Sequence, residues 1–248
     1  MRLFELASAC YCYGIQTGFD RGYGEFLSRT QPRFRIQDRD HRASLLKWLN
    51  AWGCRQFARR YHADASRQLA DWAEQYSALL PAPRRGLWAL SDQDVEKMGV
   101  PFRALCHLRA STRRRKKGAS PVEFGPTGAA KILFALRGEA LPPWDDPIRQ
   151  EHDWDGSPDS YLAFLNQVRK EIKDLAIEAS KHGIPLEQIP VKLQRPLSTV
   201  VKLVDEYYWM KATKGWRPLS VAQIRVDCPR FAGQFLRRHL LALHTRLG

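Results

Sequence analysis

The chain has 248 residues, and its 40 Lys and Arg against 26 Asp and Glu give a formal net charge of +14 at pH 7. This length is enough to bury a core in one large or two interlocked domains, and the positive charge favours DNA, RNA or an acidic membrane surface as partner. No apolar run approaches the ~18 residues of a membrane-spanning helix, so we expect none.

The N-terminal region, residues 1–83, is predicted to be helical and to pack with the C-terminal helices. Its first residues contain an early Glu5 and no cleavage pattern, so we expect no signal peptide. The glycine-rich segment 14–24 is predicted to be a loop, and Pro81 and Pro83 mark the clearest break in the chain. Apolar residues at helical spacing predict helices over residues 3–17, 41–61 and 64–80.

The central region, residues 84–156, begins with two short predicted helices. Ser91 is a helix N-cap candidate, and Pro101 opens the second helix. The densest run of positive charge follows, and it either forms a solvated loop or adds salt-sensitive affinity for a nucleic-acid backbone. It consists of Arg113, Arg114, Arg115, Lys116 and Lys117.

After this run, residues 122–149 predict a glycine-bounded turn, an apolar helix and a pair of acids. The turn is Gly125-Pro126-Thr127-Gly128, and the helix ends at Gly138. Asp145 and Asp146 then stand at the start of another helical segment.

The C-terminal region, residues 157–248, is again predicted to be helical. Helices are expected at 157–183, 197–212 and, interrupted near Cys228, 219–247. We see no strand alternation anywhere, so the predicted class is all-α. The five cysteines are odd in number and lack CxxC spacing, which indicates free thiols in a reducing compartment.

About thirty residues around the glycine turn resemble the second half of the helix-hairpin-helix motif of base-excision DNA glycosylases, the HhH-GPD superfamily. Gly128 and Ala129 lie where that family has Thr-Ala, and Asp145 then falls on the catalytic aspartate without a gap. The pattern departs at Glu123, in place of the first hairpin glycine, and at Thr127, in place of the Schiff-base lysine of lyase-active members. The resemblance implies two interlocked helical subdomains.

The resemblance implies that Asp145 is the catalytic carboxylate, which stabilises the oxocarbenium-like sugar and orients the attacking water. The alternative is that Asp145 is only a helix N-cap, although Asp146 before Pro147 is the better N-cap candidate. Threonine cannot form an imine, so Thr127 predicts a monofunctional enzyme. Lys131, four residues further on, is either a surface or phosphate-binding lysine or a displaced Schiff-base lysine.

The remaining site residues are predicted from what a glycosylase needs. Gly125, Thr127 and Gly128 are expected to bring backbone N–H groups against a DNA phosphate. Base flipping requires aromatic residues, and Phe124 and Trp144 are the nearest candidates for the base pocket. The histidines show no metal-ligand spacing with Cys or acids, so neither a metal nor another cofactor is expected.

The sequence therefore predicts a cytoplasmic, nucleoid-associated DNA glycosylase, monomeric, that flips a damaged or modified base out of double-stranded DNA and hydrolyses its N-glycosidic bond. A hypermodified base of phage DNA, excised in defence, belongs to the same expectation. The alternative from another class is a non-enzymatic DNA-binding protein that keeps the hairpin as a backbone clamp. A basic nuclease ranks third, because the chain lacks a clustered set of acids for Mg²⁺.

Overall fold

The computed structural model describes residues 1–115 and 118–218, and these are mostly helical. The helical class is therefore confirmed. The final helix expected at 219–247 lies outside the described residues. None of the described helices is long and apolar enough to cross a bilayer.

The described elements comprise eleven α-helices and two strands, connected by short 3₁₀ turns and loops. In chain order they are α1 (Leu3–Gln16), α2 (Phe19–Arg29), α3 (Arg39–Ala51), α4 (His62–Tyr76), α5 (Asp92–Glu96), α6 (Gly99–Cys106), β1 (Arg109–Arg115), β2 (Gly118–Glu123), α7 (Gly125–Leu136), α8 (Asp146–Glu151), α9 (Pro158–Ser180), α10 (Ile189–Lys192) and α11 (Val200–Lys214).

The chain divides into two compact units, and the boundaries differ from the expected ones at 83/84 and 156/157. Unit 1 is built from Met1–Thr17 and Val168–Gly248, and unit 2 is Gly18–Gln167. Helix α9 begins in unit 2 and ends in unit 1. Only the first seventeen residues of the N-terminal region therefore belong with the C-terminal helices.

In unit 1, α1 packs against α11, and the buried face of α11 carries charge. Lys202 and Glu206, one helical turn apart, are both fully buried, and Arg195 approaches Glu206 to 2.7 Å. The Lys202 ammonium also lies 4.9 Å from the ring centre of Tyr13 on α1. Each buried charge thus has a partner, as the low dielectric of a core requires.

In unit 2, a cluster of aromatic side chains joins α2, α3 and α7. Trp48 and Trp52 lie one turn apart on α3, with ring centres 4.5 Å apart. Tyr23 from α2 and Phe134 from α7 contact them, with ring centres 5.5 Å apart. The cluster forms because residues 19–29 are helical. The sequence predicted a loop over 14–24, because the glycines at 18, 22 and 24 are typical of loops.

A second aromatic cluster in unit 2 joins α6, the start of α9 and the segment before α8. Phe102 stacks on Tyr161 with ring centres 4.1 Å apart, and Trp144 stacks on Phe164 at 5.7 Å. Trp154 lies against Trp144 at 6.0 Å. This cluster fixes the segment that delivers Asp145.

The expectation of no strands was wrong, because β1 and β2 pair antiparallel between α6 and α7. Gln68 on α4 fixes the start of this ribbon by exchanging two hydrogen bonds of 2.9 Å with the backbone of Arg109. The Phe124 N–H donates to the Leu108 carbonyl at 2.8 Å and closes the ribbon at the start of α7.

The predicted turn at 125–128 is also corrected, because it is the first turn of α7. Gly125 has a φ of +65°, and this positive φ lets the chain leave β2 and enter the helix at once. A β-ribbon, and not a helix with a short hairpin, therefore precedes α7.

Candidate functional site

The ion pair between Lys131 and Asp145 is the feature around which the candidate site is built. Lys131 lies on α7 and Asp145 immediately before α8, and the Lys131 Nζ is 2.8 Å from the Asp145 Oδ1. The side chains are 5% and 19% exposed, respectively. The structure thus brings together the two residues proposed from sequence for the chemistry.

Lys131 is held from a second side by the C-terminal end of α3. Its Nζ donates to the Trp52 carbonyl at 2.8 Å and lies 5.6 Å from the Trp52 ring centre. A carbonyl and an aromatic face both favour a positive charge. The ammonium is therefore fixed in place, and the carboxylate is the partner that solvent reaches.

Cys54 lies close enough to this pair to respond to both of its charges. Burial raises the pKa of its thiol to about 11; Lys131 acts in the opposite direction, and Asp145 adds to the increase. A thiol with this pKa remains protonated near neutral pH, so Cys54 is not a nucleophile of the site.

Asp145 occupies the N-cap position of α8, which the sequence had assigned to Asp146. Its backbone is extended, but its side chain makes no capping hydrogen bond. Asp146 is the first residue of the helix, 64% exposed, and accepts from Arg149 at 3.0 Å. The Asp145 carboxylate is thus directed to Lys131 and not to the helix that it begins.

Arg149 connects the start of α7 to α8. Its guanidinium donates to the Thr127 hydroxyl at 3.1 Å and to the Trp144 carbonyl at 2.8 Å, and it also holds Asp146. The side chain lies 5.2 Å from the Trp144 ring centre. Sequence reasoning missed Arg149; its place three residues after Asp146 on one helical face was the available signal.

The glycine residues of the predicted phosphate grip lie in different surroundings. At Gly125 an added Cβ would meet nothing within 4 Å, so the first turn of α7 is open there. At Gly128 the same atom would lie 3.0 Å from Gln56 Nε2 and 3.2 Å from Phe57. Gly128 is therefore a close-packing glycine, and the contact of its backbone N–H with a DNA phosphate stays a prediction.

Phe124 and Trp144, the predicted base pocket, are both fully buried. Phe124 meets Phe57 edge to face at 4.8 Å, and Trp144 belongs to the second aromatic cluster. In this structure both are core residues without a face open to a flipped base. This expectation is corrected, because both rings are packed inside unit 2, where the buried Trp144 Nε1 has no hydrogen-bond partner.

The first three residues of the basic run, Arg113, Arg114 and Arg115, lie on β1. Arg113 is exposed on β1 and pairs across the ribbon with Ser120. Arg114 and Arg115 continue the strand, opposite Ala119 and Gly118. Lys116 and Lys117 lie outside the described residues.

Two cavities open on unit 2, and neither is lined by Asp145 or Lys131. Within the described ranges, no group of three or more His, Cys, Asp or Glu is placed to hold a metal ion. The chain matches no family model, no curated protein and no solved structure.

Proposed function

We propose that the protein is a DNA glycosylase of the hydrolytic type, in which Asp145 is the catalytic carboxylate and Lys131 positions it. The observation that carries the proposal is the 2.8 Å approach of Lys131 Nζ to Asp145 Oδ1 at the start of α8. The resemblance of residues 122–149 to the glycosylase motif and the net charge of +14 support it independently.

The proposed chemistry requires few groups. As the bond from C1′ to the base nitrogen breaks, the leaving base takes the electron pair and the sugar becomes cationic. Asp145, the more exposed member of the pair, faces this charge and accepts a proton from the attacking water as the water oxygen bonds to C1′. That proton returns through solvent to the departing base. The products are the free base and an abasic sugar.

Lys131 is assigned a positioning role because of how it is held. The Trp52 carbonyl oxygen accepts from its ammonium at 2.8 Å, the Asp145 Oδ1 lies 2.8 Å away as an ion-pair partner, and the Lys131 side chain is only 5% exposed. An imine requires the neutral amine to reach C1′, which in turn requires this pair to open. We therefore expect hydrolysis without strand cleavage.

The substrate strand is expected to lie along the β-ribbon and the open first turn of α7. Arg113 and its basic neighbours supply charge for the phosphates, and Gly125 leaves the start of a twelve-residue helix uncovered. Arg109 is anchored on α4 and Phe124 on Leu108, so the base of the ribbon is fixed at the start of α7.

The test is an incubation of modified and damaged duplexes with wild-type protein, Lys131→Gln and Lys131→Met. Strand breaks are scored before and after alkali, and borohydride is added in parallel. We expect breaks only after alkali and no protein–DNA adduct. An adduct that forms with wild type and is lost in both variants would make Lys131 the nucleophile and overturn its positioning role.

One observation favours a second candidate, the non-enzymatic clamp. Lys131 and Asp145 neutralise one another, and Phe124 and Trp144 are wholly buried. All four residues can therefore serve only to stabilise the fold that carries the basic β-ribbon. The clamp predicts tight, salt-sensitive binding to DNA, with no base released by wild type from any duplex.

A further inference from the structure

A cavity of about 290 Å³ opens on unit 2 between the segment 33–37 and the C-terminal end of α7. Three arginines line it, Arg33, Arg35 and Arg137, together with the hydroxyl-bearing Ser77. The rest of the lining is largely apolar, with Phe34 and Leu136 among its members. A cationic rim over an apolar floor suits an amphiphilic anion.

The arginines are poorly neutralised by the protein. Neither Arg33 nor Arg137 makes an ion pair within the part of the chain that the structure describes, and Arg35 approaches Asp38 only to 3.6 Å. Arg137 is oriented by the carbonyls of Pro81 and Leu136. Burial, and then the nearby charge of Arg33, lower the pKa of Arg137. An anion between them would relieve this repulsion.

A second observation points to a ligand and does not depend on the arginines. The Ser77 Oγ is buried and has no hydrogen-bond partner, although the residue lines the cavity. A buried hydroxyl without a partner is unfavourable, so such groups are rare in proteins unless a ligand or water completes them. Rotation of the Ser77 side chain toward the cavity would let an oxygen of a bound anion accept its proton.

We propose that this cavity binds a nucleotide phosphate, held by the three arginines and Ser77, with the base against Phe34. Guanidinium forks match the paired oxygens of a phosphate, and an aromatic ring offers a stacking face for a base. The volume, near the lower end for ligand sites, suits one nucleotide. The phosphate belongs either to a free mononucleotide or to one nucleotide of a strand.

This site is separate from the proposed catalytic one. Asp145 and Lys131 do not line the cavity. A protein that excises no base can therefore still bind a nucleotide here, and a cavity that binds no nucleotide does not contradict the proposed glycosylase activity. The two can therefore be tested on the same preparation.

The experiment measures binding of thymidine 5′-monophosphate, thymidine and a single-stranded oligonucleotide by calorimetry. The variants are Arg33→Ala and Ser77→Ala, matched by Arg103→Ala and Ser28→Ala, which change an exposed arginine and an exposed serine that do not line the cavity. Urea unfolding of each variant, without ligand, accompanies the binding measurements.

We expect the monophosphate to bind at least about tenfold tighter than thymidine, and Arg33→Ala to weaken it about tenfold, as the loss of a charged hydrogen bond implies. Ser77→Ala should weaken binding severalfold and leave unfolding unchanged or slightly stabilised. If only the oligonucleotide binds and Arg33→Ala weakens it more than Arg103→Ala, the phosphate is that of a strand. Equal binding of thymidine, equal effects of the two arginine variants, or no binding of any probe overturns the proposal.

Discussion

The buried pair of Lys131 and Asp145 predicts a specific pattern of stability, which can be measured before any substrate is known. Asp145→Asn leaves the ammonium of Lys131, only 5% exposed, without its counter-charge. Breaking a buried pair from one side typically costs 3–5 kcal/mol, and the Trp52 carbonyl offsets part of this. We therefore expect a loss of about 2–4 kcal/mol in the free energy of unfolding.

The reverse change is expected to cost less. In Lys131→Met the remaining carboxylate is 19% exposed and can recruit water, so we expect a loss of about 1–3 kcal/mol. Each single variant leaves one buried charge without its partner, whereas the double variant leaves none. The loss of unfolding free energy in the double variant should therefore be smaller than the sum of the two single losses by about 1–3 kcal/mol.

The assay is urea unfolding followed by far-UV circular dichroism, for wild type, both single variants and the double variant. Asp146→Asn serves as the matched control, because that carboxylate is 64% exposed and Arg149 keeps its hydrogen bonds to the Thr127 hydroxyl and the Trp144 carbonyl, so the loss should be under about 1 kcal/mol. Additive single losses, or an Asp145→Asn loss no larger than that of Asp146→Asn, would refute the reasoning that a mutually dependent pair lies at this position.

Three further predictions concern individual residues. Gly128→Ala should lower the free energy of unfolding by about 1–3 kcal/mol, because the added Cβ would meet Gln56 and Phe57. Gly24→Ala should raise it by up to about 1 kcal/mol, because Gly24 lies inside α2 and its added Cβ would meet nothing within 4 Å. Equal shifts of the urea midpoint in the two variants would contradict this. The pKa of Asp155 is lowered to about 2 because its carboxylate accepts hydrogen bonds from Ser157 and Ser160. Its contribution to the free energy of unfolding is therefore present above pH ~4 and is lost as the pH falls toward 2. Asp155→Asn should make the free energy of unfolding less dependent on pH between ~4 and ~2, and an Asp155 carboxyl that titrates near ~4 by NMR would count against this. Cys54 should resist alkylation at pH 8 in the native protein, and Asp145→Asn should lower the pKa of its thiol by removing a nearby negative charge. Mass spectrometry of the peptide that contains Cys54 measures the alkylation, and rapid alkylation in the native protein would contradict the burial of this thiol.

Helix positions were predictable where one face is continuously apolar and caps are unambiguous. Helix α1 was expected over 3–17 and forms Leu3–Gln16, and Ser91 makes the capping box at α5 with Asp94. The long helix expected at 157–183 is α9. In each case the local signal and the tertiary packing agree.

Prediction failed where a residue type has an unfavourable intrinsic preference that packing overrides. Glycines 18, 22 and 24 suggested a loop, yet Tyr23 and Phe26 bury one face of α2 and stabilise the helix. The ribbon was missed because arginines have little preference for strands, and its pairing depends on residues 118–123 of the partner strand.

The candidate site was predictable only in part, because sequence spacing does not give contacts. Asp145 and Lys131 were both proposed, but their approach depends on how α7 and the segment before α8 pack. Trp144 was assigned to a pocket since it adjoins Asp145, whereas neighbours in an extended segment point to opposite sides. The contact of Lys131 with Trp52, 79 residues away, had no local signal.

The measurement that tests the central claim most directly is free base released from duplex DNA, detected by mass spectrometry, for wild type, Asp145→Asn and Asp146→Asn. The panel includes oxidised, alkylated and deaminated duplexes and phage DNAs with modified cytosines. We expect wild type and Asp146→Asn to release free base from one of these duplexes. Asp145→Asn, folded at the assay temperature, should release that base at least about a hundredfold more slowly. Release that survives in folded Asp145→Asn would contradict the catalytic assignment, and tight binding without release from any duplex would leave the clamp.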